Sequence, residues 1–163
     1  NIFHMNSKSE KITLDALDLA ILRHLQTDGL ATLDALAEAT AMSSASVWRR
    51  VRSMEETGVI PRRVALVDPM RVGLALCAFA DVSLQDHSPT HRNIFESFVQ
   101  TAAEVMECNA TSGGRDYLLK IRVADMAEYE AFLMGRLLAH PSVASASSGF
   151  ALRDVKYTTA LPL

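Results

Sequence analysis

Five arginines crowd one short stretch in the first half of the chain, and their side chains suit the recognition of anions. A guanidinium group donates charge-assisted and often bidentate hydrogen bonds to phosphate oxygens. Just before them lie three small residues, Ser44-Ala45-Ser46, which let a helix backbone approach a partner closely. This combination predicts contact with a polymer of phosphates. The arginines are Arg49, Arg50, Arg52, Arg62 and Arg63.

Residues 32–64 have the pattern of two short helices joined by a tight turn. In the second helix, Val47, Val51 and Met54 recur at intervals of four and three, which is the spacing of one buried face. The arginines and small residues therefore lie on its other faces. The pattern predicts a helix-turn-helix whose second helix enters the major groove of double-stranded DNA.

The ends of the second helix carry capping signals, and a wing follows it. Ser43 or Ser44 can accept a hydrogen bond from the first turn, and Gly58 can end the helix because glycine tolerates positive φ. Residues 59–66 predict a short wing or hairpin with Arg62-Arg63 at its tip.

Two interpretations of these side chains stay open. The arginines can form an ordinary solvated face paired with Glu55 and Glu56, and Arg50 lies close enough to the buried stripe to be structural. Trp48 is large for its place; it either packs into the helical core or stacks on sugar-phosphate. The predicted DNA-contacting residues are Ser44, Ala45, Ser46, Trp48, Arg49, Arg50, Arg52, Arg62 and Arg63.

Composition permits such a role although the chain of 163 residues is acidic overall, with a net charge of −3. Residues 1–73 hold nine basic and nine acidic side chains, whereas residues 74–163 hold seven and ten. DNA binding needs a local basic patch rather than a basic chain, and two such patches favour a dimer or larger assembly. With neither a signal peptide nor a membrane-spanning run visible, we expect a cytoplasmic protein without a membrane partner. Residues 1–5 are interpreted as a cloning remnant.

The remaining pattern predicts an α+β chain of two domains. A helix is expected at 15–28, so the helix-turn-helix domain covers 10–66, and Asp68-Pro69 lies in a hinge at 67–73. From residue 74 onward, alternating strands and amphipathic helices occur in the order β-α-β-β-α-β, the ferredoxin-like arrangement, to residue 163. The predicted elements are a strand at 74–84, a helix at 90–103 with Ile94 and Phe95 inward, strands at 105–111 and 117–123, a helix at 126–139, and an extended region at 143–158 broken near Ser148-Gly149.

Two features of this second domain bear on assembly and redox chemistry. Two helices cover one face of the predicted sheet, so the other face, which has apolar residues, is expected to pack on a second subunit. Cys77 and Cys108 lie far apart in apolar contexts. We interpret them as buried hydrophobic residues in a reducing compartment, with a disulfide or metal pair as the lesser alternative.

Five stretches in this order resemble the Lrp/AsnC family of bacterial and archaeal regulators. They are Leu14-Asp15-x-x-Asp18-x-x-Ile21-Leu22, residues 43–60 (SSASVWRRVRSMEETGVI), Val67-Asp68-Pro69-x-x-Val72-Gly73, residues 112–120 (SGGRDYLLK) and residues 155–163 (VKYTTALPL). The resemblance implies a transcriptional regulator with an N-terminal winged helix-turn-helix domain and a C-terminal ferredoxin-like (RAM-type) domain. It also implies a homodimer that assembles to a tetramer or octamer and responds to an amino acid or related effector.

The effector site is expected at the Gly113-Gly114-Arg115-Asp116 loop, between subunits. Adjacent glycines expose backbone N–H groups that can hold a carboxylate, and Asp116 can neutralise an ammonium group. The same residues also suit a plain hairpin turn. Arg115 departs from the family pattern and is expected to alter which effector fits. The predicted effector-binding residues are Gly113, Gly114, Arg115, Asp116, Tyr117, Met126, Ser147 and Gly149.

Other classes of function fit the sequence less well. The five histidines have no metal-ligand spacing, and no Walker loop or GxSxG motif occurs, so we expect neither a metal nor a catalytic cofactor. An effector-independent architectural DNA-binding protein is the first alternative. A sirohaem decarboxylase of the same architecture is the second, but the histidines and arginines that such a pocket needs do not cluster.

Overall fold

The computed structural model describes residues 12–163, which form two compact units. One unit comprises residues 12–66 and 156–163, and the other comprises Val67–Val155. The proposed cloning remnant at 1–5 and the start of the predicted first domain at 10–11 lie outside the described residues. In chain order the elements are α1 (Ala16–Thr27), α2 (Leu33–Thr40), α3 (Ser44–Glu56), β1 (Leu76–Leu84), α4 (Pro89–Thr101), β2 (Val105–Ala110), β3 (Tyr117–Val123), α5 (Met126–Phe132) with a π-helical continuation (Leu133–Leu137), and β4 (Val143–Phe150).

The first unit is a three-helix domain around its own apolar core. Ile21 of α1, Leu36 of α2 and Val47 of α3 are almost completely buried against one another. Burying such side chains is the main favourable term in holding three short helices together. All three helices lie where the sequence predicted them. Every helix described in residues 12–163 is too short or too polar to cross a bilayer.

The turn between α2 and α3 has the geometry of a helix-turn-helix. Ala41 ends α2 in the left-handed conformation with φ of 53°. Ser43 then caps α3, its Oγ accepting a hydrogen bond from the backbone N–H of Ser46 at 3.3 Å. Gly58 follows α3 with φ of 77°, as the sequence indicated. These features fix the direction in which α3 leaves the domain.

The stretch after α3 differs from the predicted hairpin. Residues 59–66 contain no paired strand in the structure. Pro61 lacks the N–H that a ladder needs, and the side chains of Val64 and Leu66 are exposed instead of packing across a hairpin. The segment is tied to α3 by an ion pair of 3.1 Å between Arg63 Nη2 and Glu55 Oε1.

The end of the chain also differs from the predicted domain boundary. Residues 156–163 group with the first unit, whereas we predicted a second domain running from 74 to 163. Gln26 of α1 holds Leu161 from both sides, accepting from its N–H at 2.6 Å and donating to its carbonyl at 3.3 Å. Arg23 Nε donates to the Leu163 carbonyl at 2.9 Å. The predicted second strand after Ser148-Gly149 is absent because β4 runs unbroken to Phe150 and the chain then leaves the sheet.

The second unit has the predicted β-α-β-β-α-β order. Its four antiparallel strands lie in the order β2-β3-β1-β4, with β1 and β3 in the centre. Ala80 of β1 lies opposite Leu119 of β3 on one side and Ser148 of β4 on the other. The register therefore fixes which side chains share a face.

One sheet face and the helices form the core of this unit. Alternate residues of β1 and β3 are buried, as their period-two pattern predicted. The prediction for Ile94 of α4 is wrong: its side chain is 45% exposed. Phe95 is buried as predicted, and Val99 is buried with it, because residues four apart share one helix face.

The last helix ends in a wider turn than predicted. The α-helical part ends at Phe132, and the N–H of Leu138 donates to the Leu133 carbonyl at 2.8 Å, a five-residue step typical of a π-helix. The cysteines are both free and project to opposite faces of the sheet, as their register partners Arg122 and Leu119 show. Burial, and then the negative charge of Glu96, raise the pKa of Cys108 to about 11.

The other face of the sheet has no helix over it in the described part of the chain. Phe79 on this face is 41% exposed, and its neighbour Lys120 forms an ion pair with Glu107 at 3.0 Å. The packing of this face on a second subunit stays a prediction.

Candidate functional site

The surface of α3 is the first candidate site, and helix geometry defines its outermost residues. Successive residues are rotated by about 100° around an α-helix, so Arg49 points about 170° away from the mean direction of the buried Val47, Val51 and Met54. Ala45 and Arg52 lie on the same outward side by the same geometry. A partner that approaches α3 from the side opposite its buried face therefore contacts Arg49 first.

The predicted arginines differ in whether their side chains already have hydrogen-bond or ion-pair partners within the chain. Arg49 and Arg62 make no hydrogen bond or ion pair within residues 12–163. Arg52 pairs with Glu56 at 2.8 Å and Arg63 with Glu55 at 3.1 Å, but the four side chains stay about half exposed. Such exposed pairs are weak, so their arginines stay accessible to a stronger anion.

Arg50 is held within the domain. Its Nη1 donates to Asp18 Oδ1 at 2.7 Å and to Asp15 Oδ2 at 2.8 Å, joining α3 to the start of α1. These two carboxylates, Asp18 first, raise the pKa of Arg50. The pKa of Asp15 lies below its usual value, first because its carboxylate accepts from the Asp18 N–H and then because of Arg50. The structural interpretation of Arg50 is therefore favoured over DNA contact.

The small residues and the tryptophan occupy the rest of the helix surface. Ser44 Oγ donates to Asp34 Oδ1 of α2 at 2.6 Å, whereas Ala45 is exposed. Ser46 lies beside Met42, and its hydroxyl is 3.9 Å from the Met42 sulfur. Trp48 is 48% exposed, so it does not fill the helical core.

A cleft of about 350 Å³ lies along one flank of α3. It opens between this helix and the residues that precede α1, and Arg49 is part of its wall. Its volume is at the lower end for a small-molecule site, but its wall is made largely of polar and charged groups. Its lining residues are Ile12, Thr13, Leu14, Asp18, Ser46, Arg49, Arg50, Ser53, Met54 and Thr57.

The loop between β2 and β3 is the second candidate site. Thr111 closes it, its N–H donating to the Asp116 carbonyl and its hydroxyl to the Arg115 carbonyl, both at 2.9 Å. Gly113 has φ of 154°, a conformation that favours glycine, and Gly114 follows it. Both glycines are exposed, and a Cβ added at either one would meet no atom of residues 12–163 within 4 Å, its chain neighbours aside.

Both charged side chains of this loop are engaged by their own chain. Asp116 Oδ2 accepts from the Leu84 N–H at 2.7 Å, and Oδ1 lies 3.2 Å from His87 Nδ1. Arg115 Nη1 lies 3.3 Å from the hydroxyls of both Ser83 and Ser145. The loop is thus a closed turn whose charged groups already have partners.

The structure separates two of the other predicted effector residues, Tyr117 and Met126, from this loop. Tyr117 is 4% exposed, and its hydroxyl donates to Glu96 at 2.7 Å, so its side chain belongs to the core. Burial, with the hydrogen bond to Glu96 next, raises its pKa. Met126 follows the far end of β3, about 20 Å along the strand from Asp116. Tyr117 and Met126 therefore do not line the loop of their own chain.

The remaining two effector candidates lie on the open sheet face. Ser147 is opposite Asp81, and Gly149 is opposite Phe79, so only Ser147 lies near the loop end of β1. Sequence reasoning did not find His87, Ser83 or Ser145. Alternation on β1 would place Ser83 on the open face, but the pairing of β1 with β4 and the position of His87 depend on tertiary structure.

Comparison with known proteins agrees with both halves of this arrangement. Residues 77–161 match the model of the Lrp/AsnC ligand binding domain, and residues 14–60 match that of a winged helix-turn-helix DNA-binding domain. The DNA-binding transcriptional activator DecR of Escherichia coli (strain K12) is 36% identical over 150 residues, covering 92% of this chain and 99% of DecR.

Two solved structures are similar over almost the whole chain. A transcriptional regulator from Neisseria meningitidis, solved as a complex with L-Met, has a TM-score of 0.88 and 37% identity, covering 92% of this chain and 97% of that one. An AsnC family transcriptional regulator from Agrobacterium tumefaciens has a TM-score of 0.87 and 41% identity, covering 91% and 97%.

The matched domains define a DNA-binding transcriptional regulator with a ligand-binding domain, rather than an enzyme. The chain belongs to the Lrp/AsnC family. The predictions of the family and of the α+β fold class are confirmed.

Proposed function

We propose that this regulator works as a homodimer, which assembles further to a tetramer or octamer in the cytoplasm. The open sheet faces of two chains pack together, and the pair presents two α3 helices to double-stranded DNA. The observation that carries the DNA assignment is Arg49, an exposed residue on the side of α3 opposite its buried residues, which has no hydrogen-bond or ion-pair partner within residues 12–163. A free guanidinium on the outermost line of α3 can bind a phosphate or a guanine edge.

We also propose that the effector is an amino acid, bound at the β2–β3 loop between subunits. The exposed N–H groups of Gly113 and Gly114 suit its carboxylate, and Asp116 suits its ammonium group. The complex of the Neisseria relative with L-Met supports this ligand class. Ser147, Gly149 and Met126 would contribute from a neighbouring subunit.

The contacts of Asp116 indicate how it can accept a ligand without disturbing the fold. Its Oδ1 partner is His87, a side chain that is 81% exposed and free to move aside. Its Oδ2 can keep the Leu84 N–H, which fixes the end of β1. An ammonium group replacing His87 would therefore exchange one partner of the carboxylate. Binding between subunits would then favour one assembly over another and change DNA affinity.

A thermal-shift screen of the full chain against the twenty amino acids tests the effector proposal. A ligand at free concentration c that binds the folded form stabilises it by RT ln(1 + c/Kd), so the melting temperature keeps rising as the ligand concentration exceeds the Kd. We expect one or a few amino acids to stabilise the wild type and to change its affinity for DNA.

Asp116→Asn should abolish that stabilisation, because the amide keeps an acceptor for the Leu84 N–H but loses the charge. Glu130→Gln is the matched control, since it removes one carboxylate from an exposed position on α5. A full response from Asp116→Asn would place the effector elsewhere. DNA binding without a response to any amino acid would favour an architectural, effector-independent protein.

A further inference from the structure

Trp48 is the large apolar side chain that α3 exposes. All residues of α3 are described, and its other large apolar residues, Val47, Val51 and Met54, are buried. Trp48 points about 90° from the buried direction, on the flank of the outward surface. An exposed indole offers a large apolar surface to a partner, and tryptophan is enriched at interfaces for this reason.

Arg52 lies beside the indole. Its guanidinium carbon lies 5.5 Å from the centre of the Trp48 ring, a cation–π distance. Arg52 also pairs with Glu56, with Arg52 Nε 2.8 Å from Glu56 Oε1. Because the cation covers one face of the ring, the ring edge and the opposite face are left for a partner.

The major groove offers one apolar group for such an edge. Of the four bases, thymine alone presents a methyl group there, on C5. We propose that the indole edge of Trp48 contacts thymine methyl groups, so that this residue contributes to sequence specificity. This inference rests on the proposed insertion of α3 into the major groove. It adds an apolar contact to the polar contacts expected of Arg49.

Replacing thymine by uracil in the DNA isolates this contact, because uracil lacks the methyl group but keeps the same hydrogen-bonding groups. Duplexes selected from a random pool by the wild-type chain would be remade with uracil at each thymine position in turn. At one fixed salt concentration, we expect affinity to fall about fourfold for each contacted methyl group. Trp48→Ala should bind both duplexes equally, and Trp48→Phe should keep part of the preference.

Arg49→Ala is the companion variant, and it separates failure of this inference from failure of the helix assignment. It should weaken binding to the thymine and uracil duplexes by the same factor. If Arg49→Ala weakens binding but the wild type does not distinguish thymine from uracil at any position, or Trp48→Ala keeps the wild-type ratio, the role of Trp48 is refuted. If Arg49→Ala has no effect on DNA binding, the insertion of α3 is refuted, and this inference with it.

Trp48 also provides its own spectroscopic signal, because it is the single tryptophan of the chain. Contact with bases should quench its fluorescence when the selected duplex is added. The uracil-substituted duplex, at concentrations that give equal occupancy, should quench it less. Unchanged emission at saturating DNA would contradict a contact between the indole and the bases.

Discussion

The surface of α3 and the β2–β3 loop both carry charged groups suited to a ligand. They differ in whether those groups already have partners within the chain. On α3, Arg49 has no partner in the described residues, while Arg50 is held by two carboxylates. In the loop, both Arg115 and Asp116 are engaged by their own chain. If the proposed sites are right, one chain already presents its DNA-contacting side chains, whereas the proposed effector site requires Asp116 to change a partner and a second subunit to contribute residues.

The largest expected effect is the loss of DNA affinity on changing Arg49 to alanine. Each lost contact is worth about 1–3 kcal/mol, and a dimer loses two, so the Kd should rise about 30-fold or more. Fluorescence anisotropy with a labelled duplex measures this. Arg153→Ala, which removes an exposed arginine outside the first unit, should change the Kd little. Equal effects of Arg49→Ala and Arg153→Ala on the Kd would contradict a specific role of Arg49 in DNA contact.

Changing Asp116 in the β2–β3 loop should lower the stability of the fold. Asp116→Ala leaves the Leu84 N–H without its partner, and we expect the free energy of unfolding to fall by about 1–2 kcal/mol. Asp116→Asn should restore most of it. Urea unfolding of the full chain measures both. If Asp116→Ala were as stable as Asp116→Asn, the contact with the Leu84 N–H would not contribute to stability. The Asp116 carboxylate would then be available to a ligand without losing a stabilising contact.

Arg50 should affect folding more than DNA binding, in contrast to Arg49. Arg50→Met removes the hydrogen bonds to Asp18 and Asp15, and we expect a loss of about 1 kcal/mol in unfolding free energy. Arg49→Met should stay within about 0.5 kcal/mol of the wild type. Urea unfolding compares the two variants. A larger stability loss for Arg49 would reverse the assigned roles.

A smaller effect is the pH dependence of the second unit. Burial, and then the charge of His91, lower the pKa of His140 below its ordinary 6.5. Between the two values the unfolded chain binds more protons, so this contribution to stability is present above pH 6.5 and is lost as pH falls through the folded pKa. The melting temperature should therefore fall from about pH 7 to about pH 5.

His140→Asn should reduce that fall. The asparagine oxygen can replace Nδ1 as acceptor for the Ser142 N–H, which lies 3.2 Å away, but it does not titrate. His24→Asn, in the other unit, is the control. An identical pH dependence of the wild type and His140→Asn would exclude His140 as the cause.

The smallest effect should come from Asp15. Since its pKa is lowered from 3.8 in the folded chain, its contribution is present above that value and is lost as pH falls through the lower folded pKa. Asp15→Asn keeps a good capping residue, so its stability should depend less on pH in this range. Urea unfolding on both sides of pH 3.8 provides the comparison.

The sequence predicted the helices and strands well because their signals are local. Ser43 caps α3 as one of the two predicted candidates, and the alternation over residues 117–123 predicted β3 with its buried face. The sequence did not predict which side chains meet across elements. The pairing of Arg50 with Asp18, thirty-two residues earlier, depends on how α3 packs on α1.

In the candidate sites, too, local features could be predicted from the sequence and contacts between distant elements could not. The outward direction of Arg49 could be predicted from helical spacing alone. The engagement of Asp116 by Leu84 and His87 could not, because it depends on where β1 ends relative to the loop. Nor could the docking of residues 156–163 on Gln26, since an extended, exposed segment carries no periodic signal.

The measurement that most directly tests two α3 helices acting together is the dependence of affinity on half-site spacing. In a duplex selected by the wild type, insertion of about five base pairs between half-sites turns one of them by half a helical turn, and about ten restores its direction. We predict that the first insertion weakens binding by at least about tenfold and that the second restores much of it. Equal affinity for all three duplexes would contradict the account.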